Sequence, residues 1–412
     1  MNKFYKNNTA TETLFDNEVE LLPSVTELFE LELAFLEYKI LPDNDYLYRT
    51  AYAKIYKGKE TLHFLRYSEI PESVSKTRTN TANQYFKNGM FSTGYATHSL
   101  FPYRGKFHPQ LIKALLNILG VKKGEYVLDP MAGSGTTNIE AALLGINSYA
   151  IDISPFCQMM TQTKYNALKI DFKTLSDTKL NADDLFEFFK KENIQKTISK
   201  IEGEKKAIYE LSLLAYLDAF GYSKRVVRSN HQQLFRKVLS RYVETVKGVL
   251  SNKYFEQNEL GNVQILQNSD ALNIELKENS VDAIITSPPY SFAIDYVEND
   301  KDQLEYLGYD TAELRKKLIG LKGKTKKEKI ETYFDDMASF LKEAARVLKP
   351  NKFMVIIIGS NTNQTGGIRL EETVINSAEK YNLKLVKSIL KPIKGMRNTM
   401  KEEYILFFEK SI

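Results

Sequence analysis

The 412-residue chain contains a single cysteine, Cys157, and that scarcity removes whole classes of chemistry at once. One thiol builds neither a disulfide framework nor a thiolate zinc site. Histidine is nearly as scarce. The four present, His63, His98, His108 and His231, do not fall at metal-ligand spacings, so no metal is expected. No run of 18 or more apolar residues occurs, which excludes a helical membrane span. The opening MNKFYKNNTATETLFDNE has no apolar signal core, so a cytoplasmic location is the expectation. Net charge is only +5, too little by itself to name nucleic acid as a partner.

What is present is more telling. A hydrophobic fraction of 43% supports a sizeable core, and the length suits one large domain with an insertion, or two domains. The charge is unevenly spread. Residues 221–255 carry eight Lys/Arg, Arg225, Arg228, Arg236, Lys237 and Arg241 among them, against one acid, Glu244. A second basic run comprises Lys322, Lys324, Lys326, Lys327 and Lys329. Solvated surface is the competing reading for both.

Residues 1–90 are mixed in texture; only ELFELELAFLEYKIL (27–41) has helical periodicity. From about 98 the pattern becomes regular. PQLIKALLNILG (109–120) predicts a helix stopped by Gly120. YVLDP (126–130) predicts a buried strand that runs into MAGSGTT, a helix NIEAALLG and a second strand YAIDIS (149–154). Residues 156–255 predict helices. Strands then return at VQILQNSD (263–270), VDAIITS (281–287) and KFMVIIIGS (352–360), with the helix YFDDMASFLKEAARVLKP (333–350) between the last two. A helix RLEETVINSAEKYN and two strands, KLVKSILKPI and EEYILFFEK, close the chain. Such alternation predicts an α/β fold, a mostly parallel sheet with helices on both faces and an antiparallel edge hairpin.

The Gly-rich turn Asp129-Pro130-Met131-Ala132-Gly133-Ser134-Gly135-Thr136-Thr137 lies between a strand and a helix, where glycines let backbone approach a ligand closely. No third glycine and no P-loop lysine follow, which disfavours dinucleotides and triphosphates. Asp152 ends the next strand, in position to accept from ribose hydroxyls. The bland alternative is a tight turn capped by an aspartate. DPMAGSGTT resembles the DPFxGSGTT motif of amino-directed DNA methyltransferases. That resemblance implies a Rossmann-like class I methyltransferase fold and S-adenosylmethionine as cofactor. It also implies that Asp129, Pro130, Ala132, Gly133, Ser134, Gly135, Thr136, Thr137 and Ile153 line the cofactor pocket, with Asp152 on the ribose.

Thr286-Ser287-Pro288-Pro289-Tyr290 follows a strand, and two prolines in succession force the chain out of the sheet at its carboxyl edge. The chemistry suits an exocyclic amine, whose lone pair is conjugated into the ring. Ser287 and a prolyl carbonyl accept its protons, and Tyr290 stacks on a base taken out of the duplex. Positioning then supplies most of the catalysis. The string resembles the SPPY motif of N4-cytosine methyltransferases, where adenine-N6 enzymes usually carry Asp or Asn at Ser287. A structural Pro-Pro turn is the alternative.

Weaker likenesses accompany these. His98–Pro109 resembles the family motif before the helix that covers the methionine end, with Phe107, His108 and Pro109 the best match; helix-entry packing is the preferred reading of His108. Asp270 and Ala271 resemble the adenine-side residues. Tyr296 and Asp295, in SPPYSFAIDYVEND, border the base pocket on the same likeness, with a packing role as the equal alternative, and Arg397-Asn398 resembles a late motif flanking the target base. Cys157 follows Phe156 rather than proline, so it reads as an ordinary buried thiol and not a C5-type nucleophile.

The resulting partition has residues 1–90 of unknown role, a catalytic domain of 91–155 and 256–412, and a helical insertion at 156–255. The insertion is the candidate target-recognition region, its bases meeting phosphates first. A helical cap or a dimer surface is its competing role. The expected function is site-specific transfer of methyl to cytosine N4 in double-stranded DNA, in a restriction-modification system with a cognate endonuclease or as an orphan enzyme. Adenine-N6 DNA methylation and RNA or tRNA base methylation remain as alternatives. A silent DNA-binding specificity subunit is disfavoured by the intact motifs. A fused nuclease would rest on Glu37-Tyr38-Lys39 alone, which lacks an upstream acid.

Overall fold

A computed structural model of the chain describes residues 9–68, 94–103, 105–178, 181–191, 198, 200–225, 230–289, 295–359, 367–393 and 402–411. Ten strands are present among these. β1 (Val19–Leu21), β2 (Ala53–Tyr56) and β3 (Lys59–Glu60) make a small antiparallel sheet. The remaining seven are β4 (Tyr126–Asp129), β5 (Asn147–Ala150), β6 (Val263–Ile265), β7 (Val281–Thr286), β8 (Leu348–Ile358), β9 (Leu383–Pro392) and β10 (Glu402–Lys410). They form one sheet in the order β6-β5-β4-β7-β8-β10-β9. β4 to β8 run parallel, while β10 is antiparallel to both neighbours.

The sheet is covered on both faces, and the strand sequences show why. β7 (VDAIIT) is buried at every position, as a central parallel strand must be. Its residues alternate between two cores. Ile284 shares one with Leu128, Met354 and Ile356, under the helices Lys326–Val347 and Leu370–Ala378. Ala283 and Ile285 share the other with Val127, Val355 and Ile357, under the helices Pro109–Ile118 and Thr136–Leu143. This is the period-two alternation of a strand, with both sets apolar.

The terminal hairpin differs in one respect from the sequence expectation. The antiparallel edge is there, but the last strand, β10, lies inside and β9 takes the edge. Composition explains the choice. β10 buries Ile405, Leu406, Phe407 and Phe408, whereas β9 exposes alternate positions and carries Lys384, Lys387 and Lys391, which suit an open edge.

The N-terminal region is not a detached unit. Phe15, Leu33, Ala34, Ala51 and Tyr52 belong to the same core as Leu111, Leu115 and Val127. A buried carboxylate fastens the join. Glu37, on the helix Leu28–Ile40, accepts from the Ala51 amide at 3.0 Å and from Asn117 Nδ2 at 2.6 Å. Burial pushes its pKa up and these donors hold it down. Asn117→Ala removes the closest donor to that buried acid, leaving the Ala51 amide and the Thr50 hydroxyl, and a loss of about 2–3 kcal/mol in urea unfolding is expected. A loss below about 0.5 kcal/mol, the scatter of ordinary surface substitutions, would show that the join does not depend on the pair.

The insertion is helical, as expected. The helices Gly203–Arg225 and His231–Leu250 pack on each other, and the first also packs on Pro155–Ala167. Their core includes Phe186, Phe189, Tyr216, Phe235 and Leu239, and it continues into Val297, Leu304 and Leu307. The insertion is thus continuous with the segment that follows Ser287-Pro288-Pro289.

Candidate functional site

The strand order reverses direction beside β4: β5 and β6 lie to one side, β7 and β8 to the other. Ligands in open α/β sheets bind in the crevice at the carboxyl edge of that point. Both strong motifs are there. The register of β4 with β7 (Val127 opposite Ala283, Leu128 opposite Ile284) brings the Asp129 turn and Ser287-Pro288-Pro289 to one edge.

The turn is held by its neighbours. The Ala132 amide donates to the Ile151 carbonyl at 2.9 Å, and the Gly133 amide to Asp152 Oδ2 at 2.8 Å. Asp152 accepts a second backbone bond, from Ser154, at 2.8 Å. Gly135, the residue before the helix Thr136–Leu143, has φ +76°. A Cβ there would lie 2.6 Å from both the methyl and the hydroxyl of Thr161. Below the loop, Lys164 is buried and its Nζ donates to the Ser134 carbonyl at 3.0 Å. Burial pulls this lysine well below its ordinary pKa. Nearby, the buried His98 Nε2 lies 2.6 Å from Glu140 Oε1.

Three acids converge on the edge. Asp129 is 1% exposed, and burial raises its pKa from 3.8 to about 7. The Thr137 and Thr286 hydroxyls lie close enough to hold that value down, yet no hydrogen bond closes by distance and angle. Asp129 Oδ2 and both hydroxyls lack partners among the described residues. Burial raises Asp152 to about 6, and burial together with Asp152 raises Asp300 to about 7. Among the described residues, no basic side chain counts among the groups acting on any of the three. An acid cluster without its own cation, beside a glycine turn that a Cβ would block, fits a cationic, closely approached ligand. S-adenosylmethionine, a sulfonium with an α-ammonium, is such a molecule.

Ser287 and Pro289 are half-buried and Pro288 is buried at the mouth of β7. Tyr290, Arg228 and Arg397, together with the Arg225 side chain, lie outside the described residues. Tyr296 opens the short helix Tyr296–Asn299, and its ring lies nearly parallel to Tyr103 with centroids 6.4 Å apart. Tyr103 in turn packs over the turn, 3.4 Å from where a Gly133 Cβ would stand, and its hydroxyl accepts the Cys157 thiol at 3.4 Å. Cys157 is buried and burial raises its pKa, so it is not a nucleophile at neutral pH.

Phe107 is half-buried in the core, His108 precedes the helix Pro109–Ile118, and Pro109 is its first residue. Burial lowers His108 to about 4, leaving it neutral and unsuited to act as a base at pH 7. Ile153 packs on the insertion's core. Asp270 accepts from the Leu272 amide at 2.7 Å, five residues beyond β6, with Ala271 buried beside it. The insertion's cations are not all available to a partner. Arg236 is bonded to Asp183 at 2.7 Å and Arg241 to Asp218 at 2.7 Å, while Lys237 is exposed.

Four residues the sequence reading did not single out belong to this neighbourhood: Tyr103, Thr161, Lys164 and Asp300. Only Lys164 left a trace. It falls at helical spacing on the buried stripe Cys157-Met160-Thr161, where a lysine is out of place.

The sheet order and the glycine turn at its switch point are those of the Rossmann-like class I fold of S-adenosylmethionine-dependent methyltransferases. Two family models match: the RMKL-like methyltransferase domain over residues 99–208 and the N6/N4 DNA methylase over residues 281–411. The chain is 27% identical over 297 residues to the type II methyltransferase M.BsoBI of Geobacillus stearothermophilus, covering 58% of each chain. It is 23% identical over 411 residues to the type II methyltransferase M.MvaI of Kocuria varians, covering 79% of this chain and 90% of that one. The solved structure of TrmN from Thermus thermophilus covers 74% of this chain and 50% of its own, at 15% identity and a TM-score of 0.35. Over residues 281–411 the chain is thus similar to the N6/N4 DNA methylases. No helix among the described residues is long and apolar enough to cross a membrane.

Proposed function

We propose that the protein methylates an exocyclic amino group of a base in double-stranded DNA, and that the group is N4 of cytosine. The observation that carries this reading is the meeting of the Asp129–Thr137 turn with Ser287-Pro288-Pro289 at one edge of the sheet. Asp129, Gly133, Gly135 and Asp152 hold the methyl donor, with Asp270 and Ala271 toward its adenine. When bound, the donor would supply an electrophilic methyl group, its methyl–sulfur bond breaking with the electron pair left on a neutral thioether as leaving group. The Ser287 hydroxyl and the Pro288 carbonyl accept the protons of the amine, freeing its lone pair, and one proton leaves to water as the new C–N bond forms. Tyr290 supplies the stacking face for a flipped base. Ser287, rather than an acid or amide, favours cytosine. The type II relatives suggest a restriction-modification setting with a partner endonuclease.

Purified protein with S-adenosylmethionine and unmodified genomic DNA is expected to yield N4-methylcytosine on nucleoside mass spectrometry. Ser287→Ala is expected to lower that yield roughly 100-fold with donor binding unchanged by calorimetry. N6-methyladenine in its place would sink the cytosine assignment and leave the amino-methyltransferase reading standing. Methylation of total RNA, and not of DNA, would sink the DNA reading.

A further inference from the structure

Beyond the catalytic edge lies an open groove of about 820 Å³ lined by five cations, Arg315, Lys316, Lys322, Lys324 and Lys329, and one acid, Glu328. The segment that builds it, residues 311–331, holds eight Lys/Arg against Glu313, Glu328 and Glu331, an excess equal to that of the whole chain. Glu328 does little to neutralise it. Its carboxylate accepts from the Lys324 and Thr325 amides in the capping box of the helix Lys326–Val347.

The cations are of two kinds. Arg315 is ion-paired with Asp295 and Glu298, Lys316 with Glu313, and Lys322 with Asp336. These pairs build the walls. Lys324 and Lys329 have no ion-pair partner among the described residues; the first is exposed and the second half-buried. The groove is also tied to the active edge. Asp295, the partner of Arg315, caps the helix that begins with Tyr296, the ring lying against Tyr103. Asp336, the partner of Lys322, lies close enough to Asp270 to feel its charge. A basic groove open to solvent and linked to the active edge through Asp295 and Asp336 suits a phosphodiester backbone.

We propose that this groove, through Lys324 and Lys329, grips the DNA backbone beside the target nucleotide. The inference rests on the reading of the site as a DNA methyltransferase. It assigns backbone contact to this segment and not to Arg236 and Arg241, which are spent on acids within the insertion.

The test is binding of a fluorescent, unmodified DNA duplex by the full chain between about 50 and 200 mM salt. K324A/K329A is expected to bind about tenfold more weakly per lysine near 0.1 M salt, with the slope of log affinity against log salt shallower by about 2. The arginine pair K324R/K329R is expected to restore both quantities. Heat of S-adenosylmethionine binding should match the wild type in both variants, showing that the fold is intact. Wild-type affinity and slope in K324A/K329A, from a protein that does methylate DNA, would overturn the groove alone. A wild type that neither binds nor methylates DNA, or that grips an RNA hairpin instead, overturns the groove together with the reading beneath it.

Discussion

Asp129→Asn is expected to stabilise the protein at pH 8 while weakening its hold on S-adenosylmethionine. The carboxyl is almost wholly buried, and its pKa is raised from 3.8 to about 7 with burial as the main cause. An acid raised in this way binds more protons in the native than in the unfolded state between those two values. Native stability therefore falls as pH rises from 3.8 to about 7, and the penalty, roughly 4 kcal/mol, is fully present above pH 7. Asparagine carries no charge to bury. Urea unfolding at pH 8 should show a gain of about 2–4 kcal/mol over the wild type, and at pH 4 little or none. Asp152 and Asp300 are raised in the same direction, so the wild-type slope is reduced and not abolished. Donor affinity should fall at least tenfold, since a cationic ligand is what would make the buried charge favourable. Equal or lower stability at pH 8, or unchanged affinity, would show that Asp129 is an ordinary packed acid.

The second large effect belongs to Gly135. Its φ of +76° costs alanine about 1–2 kcal/mol, and the new Cβ would stand 2.6 Å from the Thr161 methyl and hydroxyl. Overpacking of this kind adds a further ~1–3 kcal/mol. Either the turn or the helix Pro155–Ala167 must shift, and the turn is the part that approaches the donor. Gly135→Ala is therefore expected to abolish donor binding by calorimetry and to destabilise the fold by about 2–4 kcal/mol. Thr161→Ala in the same chain removes the methyl and the hydroxyl, though not the Cβ 2.9 Å away, and should recover part of the stability. Strictly additive losses in the double variant would exclude the clash as the cause.

The two motifs and the strands bearing them are legible in the sequence for a physical reason. A buried parallel strand is a short apolar run, and a ligand-approaching turn needs glycine, so YVLDP-MAGSG and VDAIITSPP announce themselves locally. Tyr103, Thr161, Lys164 and Asp300 do not. Each acquires its role from a partner distant in sequence, as Tyr103 does from Gly133, Cys157 and Tyr296. Charge patterns were the least reliable guide. The cations of 221–255 look unopposed along the chain, yet Asp183 and Asp218 meet Arg236 and Arg241 in space. The shorter lysine run after 320 does line an open groove.

By itself, then, the sequence determined the α/β alternation, the glycine turn and the Pro-Pro exit at a strand end, because each follows from residues adjacent in the chain. The tertiary structure alone decided the rest. It reversed the strand order beside β4, set β10 inside β9, fused the N-terminal helix to the catalytic core through Glu37, and sorted cations into spent and available. Those outcomes depend on which surfaces bury each other and which charges meet across tens to hundreds of residues, and no local pattern encodes that pairing.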